Sequence, residues 1–119
     1  MPLPTAPLVP ERRISSRHYY HGPIAVRLRS GLAFVASGID VSASGLAFRC
    51  DENLPPDAHC EVHFSLPFAN GNTHSFTLHA VVVYTALAGE VGGFKVAVHF
   101  QGPSAQAREL LAEYALQLG

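Results

Sequence analysis

Three arginines, Arg12, Arg13 and Arg17, fall within the stretch RRISSR of a chain that has eight Lys and Arg in all. A guanidinium stays charged at physiological pH and presents a planar fork of donors. That fork matches a phosphate, or the O6 and N7 edge of a guanine, with two parallel hydrogen bonds, and its flat face stacks on a base. A second polar stretch, DVSASG, starts at Asp40 between two apolar runs. The Asp40 carboxylate supplies acceptor oxygens that a guanine N1–H and exocyclic amine can use, and the Ser42 hydroxyl both donates and accepts. Gly45 lets backbone come close to a ligand or take a positive φ. Each stretch alone also reads as ordinary structure, a solvated charge run and a surface turn. Together they suit recognition of a compact anion with hydrogen-bonding edges.

The remaining totals limit what such a site can serve. At 119 residues the chain has the length of one domain, and 48% hydrophobic against 14% charged residues is globular composition. The formal net charge is −1, but its distribution is uneven. Arg12, Arg13, Arg17, Arg27 and Arg29 all lie in the first quarter, and the acidic residues fall mostly from Asp40 onward. An anionic partner for the N-terminal quarter follows, short of a long polyanion. No apolar run reaches the roughly 18 residues of a membrane span. The opening MPLPTAPLVP has four prolines and no basic start, unlike a secretory signal. Cys50 and Cys60 form neither a CxxC motif nor a disulfide framework, and read as buried thiols in a reducing cytoplasm. The expectation is a cytoplasmic protein without membrane insertion.

The elements that must position the two stretches are short strands. Residues 1–11 are Pro-rich and non-periodic, a flexible tail. IAVRLR alternates apolar with Ala25, Arg27 and Arg29; LAFVASGI and LAFRC flank DVSASG. HCEVHFSL alternates cleanly, with Cys60, Val62, Phe64 and Leu66 on one face. Asn70-Gly71 marks a hairpin into SFTLHAVVVY, and FKVAVHF alternates again. After Gly102-Pro103-Ser104, the residues Ala107, Leu110, Leu111, Tyr114 and Leu118 recur at helical spacing, which predicts a helix over 104–118. Six strands and one helix predict a mainly β domain over residues 12–119: a small six-stranded antiparallel β-barrel, closed or covered by the C-terminal α-helix.

On that barrel, Arg13-x-x-x-Arg17 followed by Asp40-x-Ser42-x-x-Gly45 resembles the PilZ domain family, whose motifs are RxxxR and [D/N]xSxxG. The likeness covers nearly the whole chain, including the strand pattern, the late strand GFKVAVHF and the closing helix. It implies a split-barrel receptor for the bacterial second messenger cyclic di-GMP, with no other cofactor and no catalytic residues. Arg13 and Arg17 would hold phosphate and guanine as the tail closes over the ligand, and Asp40, Ser42 and Gly45 would meet it from the barrel. An arginine directly before RxxxR accompanies a stacked pair of ligands in this family, and Arg12 stands there. A third guanidinium would offset the charge of the second dianionic ligand. The family often has a tryptophan late in the long strand. This chain has none, and Tyr84 stands in its place. Tyr84 keeps step with Phe76, Leu78 and Val82, so alternation aims it into the core unless a bulge turns it outward.

Competing readings draw less support. His59, His63, His79 and His99 would face outward on their strands, and no H-E-x-x-H pattern exists for a metal. No nucleophile elbow or phosphate-cradling GxxxxGK[ST] suggests an enzyme. A single-stranded nucleic-acid-binding barrel would need a longer basic track than this one, so a nucleic-acid polymer is not the expected partner. A PilZ-like module that only binds proteins would have no evident use for intact motifs. A receptor of this kind acts on a protein effector, which the sequence does not identify.

Overall fold

The computed structural model describes residues 17–116. The N-terminal tail, Arg12 and Arg13 lie outside the described residues, as does Leu118. Among the described residues there are seven strands: β1 (Arg17–Tyr19), β2 (Pro23–Leu28), β3 (Ala33–Ser42), β4 (Gly45–Cys50), β5 (His59–Pro67), β6 (Thr73–Leu87) and β7 (Phe94–Phe100). All pairings are antiparallel, and β3–β2–β5–β6–β7–β4 closes on itself through a β4–β3 ladder. That is the six-stranded barrel the periodicity predicts. β1 is an addition, a short ladder on β3 alone with Arg17 opposite Ser42, His18 opposite Val41 and Tyr19 opposite Asp40.

Period-two alternation builds the core. β5 buries Cys60, Val62, Phe64 and Leu66, and β7 buries Val96, Val98 and Phe100. Phe64 stacks on Phe76 and Phe100 inside the barrel. Both cysteines are free and buried; burial pushes the Cys60 thiol up to about 11 and raises that of Cys50. The Asn70-Gly71 signal holds: β5 and β6 pair out to Pro67–Thr73, with the Asn70 side chain accepting from the Asn72 amide at 2.9 Å.

The C-terminal helix α1 (Ala105–Ala115) starts at Ser104, whose hydroxyl accepts from the Ala107 amide at 3.1 Å. Leu111, Tyr114 and Ala115 are its buried face, and it packs against β3 and β1. The helix therefore lies against the strands that carry Arg17 and Asp40. Among the described residues no helix is long and apolar enough to cross a membrane.

Two bulges break the simple alternation. One sits in β3, where the register to β4 slips between Gly38 and Asp40. The other sits in β6, where the register to β7 slips between Val82 and Tyr84. Each adds one residue to its strand and so exchanges the faces of everything beyond it.

Candidate functional site

Strand β3 runs straight through the first half of DVSASG, leaving Ala43 and Ser44 as the turn into β4. Upstream of the bulge, Ala36 and Gly38 face inward and are buried. Beyond it, Val41 is the inward residue, opposite Leu46. Asp40 thereby moves to the outer side of the wall, half-buried, and Ser42 shares its parity but is covered. Without the extra residue at Ile39, Asp40 would share the inward parity of Gly38.

The same device corrects the reading of Tyr84. Its alternation with Phe76 and Val82 favours the core, yet the structure leaves Tyr84 44% exposed. The bulge places Val82 inward, opposite Val98, and Tyr84 outward, opposite Ala97.

Successive ladders then align the outer face. Tyr84 pairs with Ala97, Ala97 with Ala47, Ala47 with Asp40, and Asp40 with Tyr19. Asp40 and Tyr84 thus stand in one row, three strand spacings or roughly 14 Å apart. Between them are two alanines, so the floor is low. In the next row Ser37, Arg49, Lys95 and Ala86 pair in turn. A depression of about 480 Å³ follows that row, lined by His21, Ser37, Arg49, Leu87 and Lys95 among others. On the far side of the central row, Arg17 is opposite Ser42, and His99 pairs with Gly45. The face sets an acceptor, Asp40, an aromatic ring, Tyr84, and the cations Arg49 and Lys95 around half-buried Ala97 and buried Ala47.

Arg49 and Lys95 escaped the motif-based reading. Their signal was present: Arg49 is the single charge in GLAFRC and takes an outward position between buried Phe48 and Cys50.

Ser42 and Gly45 sit at the two ends of the turn between β3 and β4. Ser42 is fully buried. Its Oγ accepts from the Ser44 and Gly45 amides at 3.3 and 3.2 Å, and is within 3.3 Å of the Gly45 carbonyl as a donor. Those bonds use the capacity of one hydroxyl, so Ser42 here holds the turn. Gly45 does not have a positive φ, and the backbone it lets approach belongs to β7. A β-carbon there would run into the Val98 carbonyl.

Just after β1, Tyr20 anchors the chain. Its ring lies against Gly22 and Gly38, where any β-carbon would collide with it, and its hydroxyl donates to the Pro23 carbonyl at 2.9 Å. Burial raises its phenol above the ordinary value. The anchor fixes where β1 leaves the barrel. His59, His63, His79 and His99 are exposed as their parity requires, and among the described residues no group of three or more His, Cys, Asp or Glu could hold a metal.

A small closed antiparallel barrel with a helix packed on its entry strand is the class of fold these elements define. The family model for the PilZ domain matches residues 11–117, and the chain belongs to that family. Among solved structures it is similar to the Bacillus subtilis inhibitor of motility MotI/DgrA, with a TM-score of 0.72 and 18% identity, covering 88% of this chain and 50% of that one. It is also similar to Escherichia coli YcgR in complex with c-di-GMP, at TM-score 0.60 and 16% identity over 84% of this chain and 42% of that one. The PilZ domain of CeSA from a cellulose-synthesizing bacterium matches with TM-score 0.57 and 16% identity over 80% and 89%. The chain therefore spans half the length of the first of these and less of the second. These likenesses show the fold. A comparison with curated proteins found no match.

Proposed function

We propose that this domain is a cyclic di-GMP receptor that takes the nucleotide on the outer face of β3, β4, β7 and β6. Membership of the PilZ family supports this, as do similar folds described as complexes with c-di-GMP, YcgR and MrkH. The observation that carries it is the β1–β3 register, in which Arg17, the last residue of RxxxR, stands opposite Ser42 of DxSxxG. Arg17 and Ser42, one residue of each motif, are thus backbone neighbours across the β1–β3 ladder.

Roles follow from chemistry. Arg12, Arg13 and Arg17 bind phosphate and guanine edges. Asp40 accepts from the N1–H and amine of a guanine, and Tyr84 stacks on a base. Arg49 and Lys95 add positive charge along one side of the row. Ser42 and Gly45 keep the turn and the β4–β7 contact in shape, so their contribution is to position Asp40 and β1. Two stacked ligands bind, Arg12 offsetting the charge of the second. Binding orders the N-terminal tail, and an effector protein reads the change; no step is catalytic.

Calorimetric titration tests the proposal. The expected affinity is micromolar, about −8 kcal/mol, weakened by salt. GMP should bind far more weakly and a single-stranded oligonucleotide not comparably. Asp40→Ala should abolish binding while the barrel stays folded. Tight oligonucleotide binding, or no heat with cyclic di-GMP, would overturn the reading.

A further inference from the structure

The motif face leaves Arg27 and Arg29 without a role. They lie on and just after β2, on the wall formed by β2, β5 and β6. There Arg27 pairs with Glu61 and Glu61 with His79, while the Arg29 amide donates to the His59 carbonyl at 3.2 Å. These five side chains line one cleft of about 820 Å³. Its only carboxylate is Glu61, whose Oε1 lies 3.8 Å from Nη2 of Arg27. With that pair offset, Arg29 and two imidazoles remain facing the cleft.

The cleft does not end there. A second depression of about 450 Å³ shares Arg27, Gly31 and Glu61 with it and continues over Ala25, Ala33, Phe34 and Val35. Val35 is 72% exposed, and nearby Leu32 is also exposed. The result is one groove, cationic at one end and apolar at the other.

We propose that this groove docks a segment of a partner protein in which carboxylates alternate with small apolar side chains. Charge complementarity selects the carboxylates, which suit the arginine fork and imidazole N–H groups. The end with exposed Val35 beside half-buried Phe34 selects apolar neighbours rather than a bare anion. Nucleic acid fits less well. The only ring besides the imidazoles is the half-buried Phe34, so bases have little to stack on, and Glu61 at the middle of the groove repels a phosphate backbone. The groove touches other stretches of β3 and β6 than the motif face does, and none of Asp40, Arg49 or Lys95 lines it. The two sites share no lining residue, so both can be occupied together.

The test uses the full chain, isotopically labelled, and a short synthetic peptide alternating glutamate with valine. Amide NMR shifts should cluster at Arg27–Leu32, His59–His63 and His79, with or without cyclic di-GMP. The double variant Arg27→Glu, Arg29→Glu should weaken the peptide about tenfold or more, equivalent to about 1.4 kcal/mol, and leave the cyclic di-GMP affinity unchanged. A lysine–valine peptide should not bind. No shifts at about 2 mM peptide, a concentration that would reveal even millimolar affinity, would overturn the proposal. So would shifts on the motif face alone, equal binding of inorganic pyrophosphate or an oligonucleotide at the groove, or a double variant that binds the peptide normally. Because peptide and nucleotide are read separately, failure of one assignment does not hide the other.

Discussion

The hydroxyl of Tyr114 donates to the main-chain carbonyl of Tyr19 across 3.0 Å, joining α1 to β1 over 95 residues of sequence. His18 adds an edge-on ring contact to Tyr114, with centroids 4.8 Å apart. The strand beginning at Arg17 is thus held from one side by β3 and from the other by the helix. Tyr114→Phe keeps the ring and removes the bond. It should cost about 1 kcal/mol, the net worth of one such hydrogen bond, read as a lower urea midpoint at unchanged slope. An unchanged midpoint would show that the bond is not made in solution.

The outward turn of Tyr84 predicts a selective loss. Because the ring is not part of the core, Tyr84→Ala should leave the thermal midpoint nearly unchanged. If it stacks on a base, the substitution removes about 1–3 kcal/mol, so cyclic di-GMP should bind roughly five- to 150-fold more weakly. Tyr84→Trp should restore or improve affinity. A melting point that falls sharply with affinity intact would return Tyr84 to a structural role.

Tyr84 also shows where a sequence stops being informative. The strands, the hairpin and the helix stripe were readable because periodicity two and periodicity 3.6 are local properties. A bulge is set by the neighbouring strand, and SFTLHAVVVY contains no glycine or proline to announce one. At Asp40 the motif pointed to the right residue, although only the slip at Ile39 explains its outward position. Arg49 was readable from parity alone but carried no motif. The three-residue β1 was too short for any pattern and exists through pairing with β3.

Ser42 and Gly45 should behave as structural residues when altered. Ser42→Ala removes the acceptor of the Ser44 and Gly45 amides; Ser44 is exposed, but Gly45 is buried and its amide is left unmet, a loss of about 1–3 kcal/mol. Gly45→Ala forces β4 away from the Val98 carbonyl, with a penalty of the same order, about 1–3 kcal/mol. Denaturation midpoints should drop for both. Affinity measured well below the new midpoint should fall less than for Asp40→Ala. If Ser42→Ala keeps full stability and loses the ligand, the hydroxyl is a contact residue after all.

Arg12 separates one ligand from two. Arg12→Ala should retain cyclic di-GMP binding and halve the calorimetric stoichiometry, because one ligand needs less positive charge than a stacked pair. The variant should also show a shallower dependence of affinity on salt, since fewer charges are neutralised. A stoichiometry equal to that of the parent would remove the paired form.

The buried thiols set a limit on alkaline stability. Desolvation in the barrel raises Cys60 from an ordinary value of 9.0 to about 11, and Cys50 moves in the same direction. Between these values the folded chain keeps a proton that the unfolded chain has released. The unfolded state then binds fewer protons, so stability falls as pH rises. The contribution is complete below pH 9.0 and lost through about pH 11. Urea midpoints should therefore decline across that window, and Cys60→Ala, less stable at neutral pH, should decline less steeply. Near pH 8 an aromatic disulfide reagent should label neither thiol until the barrel is unfolded, since each is both buried and protonated. Fast labelling of the native protein would mean that the barrel opens at β4 or β5, where Cys50 and Cys60 sit.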